Sequence, residues 1–190
     1  MANIGLWDIE LIPWYAFAIY WCVNALRVKS AKVTEPLPAR LLEVLTLAAA
    51  FYLMFSGRIH GGWLRERFVA STPWLNAVGV VMTYAGIALA IWARWNLGRN
   101  WSARVTLKVD HELICSGPYA RLRHPIYSGL LLAAIGTAMV IGEWRGLLAI
   151  VVVGVVHSFK AKREETLMLA TFGDKYQSYR QQTGFLLPKF

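Results

Sequence analysis

Arg123-His124-Pro125-Ile126-Tyr127 puts a guanidinium, an imidazole and a phenol within five residues, at the start of a charge-free apolar run over residues 125–142. A second apolar run, residues 146–159, leads into Lys160-Ala161-Lys162-Arg163-Glu164-Glu165. Ionisable groups at the edge of a membrane are costly to bury, so such clusters point to function. Pro125 suits the first turn of a helix, where its missing N–H is no loss, and the free N–H groups of that turn can hold an anionic group. Arg123 and His124 then stand at the mouth of that turn. The same residues also fit a proline-started helix with a snorkelling Arg and an interfacial His. Glu164 and Glu165 pose a similar choice: one carboxylate can turn inward to a cationic ligand while a basic neighbour one turn away meets an anion. Lys160 and Glu164 at i, i+4 also fit an ordinary surface pair, and spacing does not separate the two readings.

These clusters need elements to hold them, and composition says which kind. The chain has 190 residues, 57% hydrophobic and 16% charged, with nine Trp and a mean hydropathy of +0.43. A soluble domain of this size has too little interior for that much apolar surface, so the chain reads as an all-α polytopic membrane protein. It reads as one membrane domain, with residues 1–93 supplying three spans and 94–190 the part that carries motifs. A net charge of +9 could suggest nucleic acid. The basic residues lie between apolar runs, however, so membrane orientation explains them and no nucleic-acid partner is expected. Cys22 and Cys115 are isolated and no His stands at ligand spacing, so neither a metal site nor a disulfide framework is indicated. Asp8 and Glu10 stand where a secretory leader carries positive charge, so the first run reads as a retained span.

Five apolar runs follow one another. Residues 11–26, 71–93 and 125–142 contain no Asp, Glu, Lys or Arg. Residues 41–57, broken by Glu43, and 146–159 are shorter and need snorkelling ends or a tilt to cross. Continuous apolarity without alternation predicts helices. Residues 27–40 carry four Lys or Arg, residues 94–123 six and residues 160–190 six, out of 20 in all. The positive-inside rule then puts these three segments in the cytoplasm and the N-terminus outside, as five spans require. Trp7, Trp63, Trp74, Trp95, Trp101 and Trp144 fall near run ends as an aromatic belt. The connection Gly142-Glu143-Trp144-Arg145 is short enough to force an antiparallel hairpin. Residues 94–124 and 160–190 then emerge on one face and must meet there.

The motifs recur in a recognisable order. Leu97-Gly98-Arg99-Asn100-Trp101-Ser102 is followed by His111-Glu112-Leu113-Ile114, Gly117-Pro118-Tyr119, Arg123-His124-Pro125-Ile126-Tyr127-Ser128-Gly129, Glu164-Glu165 and Phe172-Gly173-Asp174-Lys175-Tyr176, then Tyr179 and Leu187-Pro188. Over about half the chain, residues 95–190, this resembles the isoprenylcysteine carboxyl methyltransferase family, which is related to phospholipid N-methyltransferases. The resemblance implies a membrane methyltransferase that uses S-adenosylmethionine in a cytosolic C-terminal pocket, with a lipophilic substrate entering from the bilayer. It implies cofactor contacts at His111, Glu112, Leu113, Ile114, Tyr119, Arg123, His124, Pro125, Ile126, Tyr127 and Glu164, with Thr106 as a further candidate. Lys160, Arg163 and Glu165 are the catalytic candidates. Eukaryotic-type members place an Arg where Lys160 aligns, and an ammonium lacks the fork that binds a carboxylate bidentately, which leaves the acceptor open.

A sulfonium methyl is already activated, so the protein has mainly to align nucleophile and leaving group and exclude water. A carboxylate acceptor needs no base at neutral pH, whereas a protonated amine must first lose a proton, for which Glu164, Glu165 or His124 could serve. Carboxyl O-methylation of an isoprenylcysteine-like acceptor is the leading expectation. Phospholipid N-methylation and thiol S-methylation stay compatible with a lipid-facing entrance. A sterol-reductase-like enzyme using NADPH and an inactive membrane scaffold are the rivals from other classes.

Overall fold

The computed structural model describes residues 5–25, 37–59, 62–98 and 113–189. Among the described residues, six α-helices run in the order α1 (Leu6–Ala25), α2 (Leu37–Phe55), α3 (Pro73–Leu97), α4 (Pro125–Ile141), α5 (Trp144–Phe172) and α6 (Asp174–Gln182). Each of the first five takes in most or all of one of the five apolar runs. Among the described residues, extended pairing is limited to two isolated bridges, Arg67 with Glu143 and Leu122 with Gly184. Helices α2, α3 and α5 are long and apolar enough to cross a membrane, and α4 is a shorter apolar helix.

The lengths differ from those read off the runs. Helix α5 does not stop with its apolar residues at Phe159 but continues as one rod of 29 residues through Lys160, Glu164 and Glu165. At 1.5 Å per residue that is about 43 Å, more than the hydrocarbon core of about 30 Å, so its C-terminal third projects into the aqueous side. Helix α2 likewise takes in Leu37–Arg40 ahead of its run. Helix α4, charge-free throughout, is only 17 residues long because Gly142, at φ 65°, ends it in the left-handed conformation. Trp144 opens α5 two residues later, which makes the expected antiparallel hairpin.

Helices α3 and α4 form the tightest pair. Gly79 and Gly86 on α3 recur at the same seven-residue spacing as Gly129 and Gly136 on α4. In antiparallel register Gly86 meets Gly129 and Gly79 meets Gly136. A Cβ on Gly86 would lie 2.4 Å from the Gly129 carbonyl oxygen, and one on Gly136 would lie 2.4 Å from that of Gly79. The small residues of α3 therefore let two backbones of one chain touch, the close-packing role such residues serve in membrane helices.

Helix α1 is held to that pair by polar groups inside the bundle. It begins at Leu6, ahead of its apolar run, and so carries Glu10 into the interior with no exposed surface. Thr83 and Thr137 both donate to Glu10 Oε1, at 2.7 and 2.6 Å, and Trp14 Nε1 donates to Thr137 Oγ1 at 3.0 Å. Helix α2 is tied to α5 at one end by Arg145, whose guanidinium donates to the carbonyls of Leu53, Met54 and Ser56 at 2.8–3.1 Å. Those carbonyls belong to the last turn of α2 and the residues after it, where a cation is most favourable.

Candidate active site

The turn before α4 and the chain after α5 meet on one face, as their common side of the bundle requires. Gly184 N donates to the Arg121 carbonyl at 3.0 Å, Arg123 N to the Gly184 carbonyl at 2.9 Å and His124 N to the Phe185 carbonyl at 3.3 Å. Ser128 Oγ adds a bond to the Leu186 carbonyl at 2.7 Å, and Tyr179 Oη one to the Tyr119 carbonyl at 2.7 Å. Arg123 completes the seam, donating through its guanidinium to the carbonyls of Arg180 and Thr183 and through Nε to Glu165 Oε1 at 2.5 Å. Helix α6 and the tail are thus stapled backbone to backbone onto the turn that carries His124.

His124 is buried between the two carboxylates of α5. Its Nδ1 lies 3.5 Å from Glu164 Oε2 and its Nε2 lies 3.4 Å from Glu165 Oε1. Only the imidazolium has an N–H for each side. Burial acts to lower the pKa of His124, but hydrogen bonding and charge from Glu164 and Glu165 outweigh it, so the net shift is upward from 6.5. Tyr127 Oη donates to Glu164 Oε1 at 2.6 Å, so both oxygens of that carboxylate are engaged. The His124 ring stacks on Tyr127 at 5.7 Å, and Tyr127 stacks in turn on His157 at 4.8 Å. Burial, reinforced by the nearby Glu164 carboxylate, holds the Tyr119 hydroxyl well above its usual range, so it stays neutral.

This cluster forms one end of a cavity of about 420 Å³. Tyr119, His124, Tyr127, Glu164, Tyr176 and Tyr179 line its polar end. Arg40, Glu43, Arg123, Lys160 and His157 also line it, and the rest is apolar, with α1 and α2 contributing Trp14, Phe17, Trp21, Leu47, Phe51 and Met54. A volume in this range suits a small-molecule or cofactor site, which takes an apolar wall with few polar groups.

Of the residues singled out in the sequence, Leu113, Ile114, Tyr119, Arg123, His124, Ile126, Tyr127, Lys160 and Glu164 line this cavity together. Pro125 is fully buried behind the wall as the first residue of α4, and Glu165 stands behind His124. Arg163 is exposed and is not among the residues lining the cavity. Thr106, His111 and Glu112 lie outside the described residues. Residue reading overlooked the contribution of the first two helices. Lys160 does not depend on Glu164 at i, i+4 for its carboxylate, because its Nζ lies 2.5 Å from Glu43 Oε1 on α2. The one charge interrupting the apolar run 41–57 was the available signal for Glu43. Trp14, Phe17 and Trp21, spaced as one helical face, were the signal for α1.

Residues 74–175 match the family model described as phospholipid methyltransferase, just over half of the chain. The chain belongs to the phospholipid methyltransferase family. Its relatives include the protein-S-isoprenylcysteine O-methyltransferase of Schizosaccharomyces pombe, 36% identical over 94 residues, which are 48% of this chain and 40% of that one. The mouse enzyme of the same name is 32% identical over 118 residues, 60% of this chain and 42% of that one. A probable protein-S-isoprenylcysteine O-methyltransferase of Oryza sativa subsp. indica is 32% identical over 119 residues, 60% of this chain and 61% of that one. The chain thus aligns with between two fifths and three fifths of the length of these relatives. A solved structure of a eukaryotic intramembrane Ras methyltransferase, isoprenylcysteine carboxyl methyltransferase, superposes with a TM-score of 0.60 over 98% of this chain and 67% of that one, at 23% identity. The multi-pass helical membrane fold of this family member is therefore that of the solved methyltransferase.

Proposed function

We propose that this family member transfers a methyl group from S-adenosylmethionine to the carboxylate of an isoprenylcysteine-like, lipophilic acceptor that enters from the bilayer. The observation that carries the reading is the continuity of one cavity, from the Tyr127–Glu164–His124 cluster to an apolar end lined by α1 and α2. The names of the relatives support the same chemistry.

The donor set at the polar end fits the cofactor. When bound, S-adenosylmethionine supplies an activated methyl on a cationic sulfur. The Glu164 carboxylate, on a cavity that Tyr119, Tyr127 and Tyr176 also line, is suited to that cation. Leu113 and Ile114 supply apolar wall beside it, and Thr106, His111 and Glu112 remain cofactor candidates by resemblance. His124 and Arg123 hold the Glu164–Glu165 pair in place, which gives Glu165 a positioning role toward the site.

Lys160 orients the acceptor carboxylate, which is already ionised at neutral pH and needs no base. Glu43, 2.5 Å from the ammonium, shares its charge, so the acceptor oxygen is aligned without being fully neutralised and keeps its nucleophilicity. Arg163, on the outer side of the same helix, contributes positive potential near the entrance. The apolar wall keeps water from competing for the methyl group. The distribution of basic residues supports an external N-terminus with the site and C-terminus in the cytoplasm.

Incubation of the purified protein with methyl-labelled S-adenosylmethionine and a panel of acceptors tests the reading. Label that transfers to an isoprenylcysteine-like acid and is released by base marks a methyl ester. Base-stable label on a phospholipid amine or a thiol would overturn O-methylation.

A further inference from the structure

The cavity ends among apolar residues of the bundle, where α1, α2, α4 and α5 stop lining it. The last lining residues are Trp14 on α1, Met54 on α2, Ala134 on α4 and Val153 on α5, all of them buried. Along α4, Ala134 is ten residues beyond His124, and along α5, Val153 is eleven residues before Glu164. At 1.5 Å per residue both paths give a floor about 15 Å from the polar cluster. Trp14 is by far the largest of the four side chains, and the other three belong to the packed apolar core between α2, α4 and α5.

Trp14 is also the floor residue whose side chain is fixed by a directed bond. Its Nε1 donates to Thr137 Oγ1 at 3.0 Å, one turn deeper on α4 than Ala134. A threonine hydroxyl has a single proton, and that of Thr137 goes to the fully buried Glu10 at 2.6 Å, so toward the indole it can only accept. Edge contacts with Phe51 and Phe55, at 5.2 and 5.8 Å, brace the ring from α2.

Taking the lipophilic acceptor of the proposed function as given, we propose that Trp14 is the size-determining residue of the site. Its indole is the stop against which the apolar tail of the acceptor ends. Glu10 and Thr137 are positioning residues that hold the ring across the floor. A smaller side chain at 14 opens the floor toward α1 and α2, and a larger one at Ala134 raises it from the α4 side.

The test is a series of isoprenyl thioether carboxylic acids of increasing isoprene number, given to parent, Trp14→Leu and Ala134→Val proteins in detergent with methyl-labelled S-adenosylmethionine. Trp14→Leu raises the ratio of kcat/KM for the longest to that for the shortest accepted tail by roughly tenfold or more, the scale of a single methylene in a fitted pocket, and Ala134→Val lowers it. Thr137→Val broadens the preference as Trp14→Leu does, and Thr137→Ser restores the parent ratio, a rescue that a merely structural loss would not show. Ratios that stay at the parent value in both Trp14→Leu and Ala134→Val overturn the proposal, and if Trp14→Leu does not fold, the opposite shift in Ala134→Val is still required. Binding of the same acids, read by melting temperature without cofactor, separates this inference from the chemistry. A parent protein that ranks tails by size but methylates none of them refutes the O-methylation reading and leaves Trp14 as the stop.

Discussion

Lys160 Nζ and Glu43 Oε1 lie 2.5 Å apart across α5 and α2, although 117 residues separate them in the chain. Both side chains are about nine-tenths buried, so each charge relies heavily on the other. Removing one partner of such a pair costs about 3–5 kcal/mol because the other is left uncompensated. Lys160→Met therefore lowers the melting temperature, and Glu43→Gln introduced beside it recovers most of the loss. On the functional side, Lys160→Met leaves S-adenosylmethionine affinity near the parent value and lowers the transfer rate, while Lys160→Arg keeps activity toward a carboxylate. Titration calorimetry and single-turnover rates separate the two effects. Loss of cofactor binding in Lys160→Met would move Lys160 to the other ligand.

Glu164 has the opposite expected signature. Glu164→Gln keeps the shape of the pocket and an acceptor for Tyr127 but removes the charge. A charge-assisted contact is worth about 1.5–3 kcal/mol, so cofactor affinity falls tenfold or more. Equal affinity in parent and variant proteins would show that Glu164 serves the His124 network alone.

His124 makes the protein sensitive to pH. Its pKa in the folded protein is raised above 6.5 by Glu164 and Glu165 despite the opposing effect of burial, so folding favours the protonated ring. That contribution to stability is fully present below about pH 6.5 and is lost as pH rises through the elevated value. Melting temperature in detergent should therefore decline across that interval, and His124→Gln should flatten the decline. A parent protein whose stability rises over the same interval would contradict the imidazolium assignment.

The glycine contact between α3 and α4 predicts severe effects from small changes. Gly86→Val or Gly129→Val drives a side chain into backbone atoms now 2.4–2.5 Å from the Cβ position. Backbone cannot yield as a side-chain tip can, so the loss reaches or exceeds the roughly 1–3 kcal/mol of ordinary overpacking. Gly154→Ala is the control, because its Cβ would meet only Leu131 at 3.7 Å. Thermal melts of the three variants in one detergent make the comparison.

Orientation is tested by reporters. The charge distribution predicts a cytoplasmic signal from a fusion after Phe190 and an external one from a fusion before Met1. Two cytoplasmic signals would mean an even number of crossings.

Hydropathy and motif order carried much of this protein in one dimension. Unbroken apolar runs demanded helices because lipid offers backbone groups no partners, and the basic residues between the runs predict an orientation. The short Gly142-Glu143 link left α4 and α5 no choice but a hairpin, which brought the Arg123–Tyr127 turn and the Glu164-Glu165 pair to one face. The partners across helices were not written there. In a membrane segment a residue facing lipid and one facing a neighbouring helix are equally apolar, so Phe51 on the cavity and Leu42 on the outside look alike in sequence. Only the packing decided that Glu43 answers Lys160, that Gly86 meets Gly129, and that Glu10 enters the bundle to meet Thr83 and Thr137. The first two helices, without motifs of their own, became much of the apolar wall of the cavity because a cavity belongs to the helices that surround it, and which helices adjoin is a property of the folded chain.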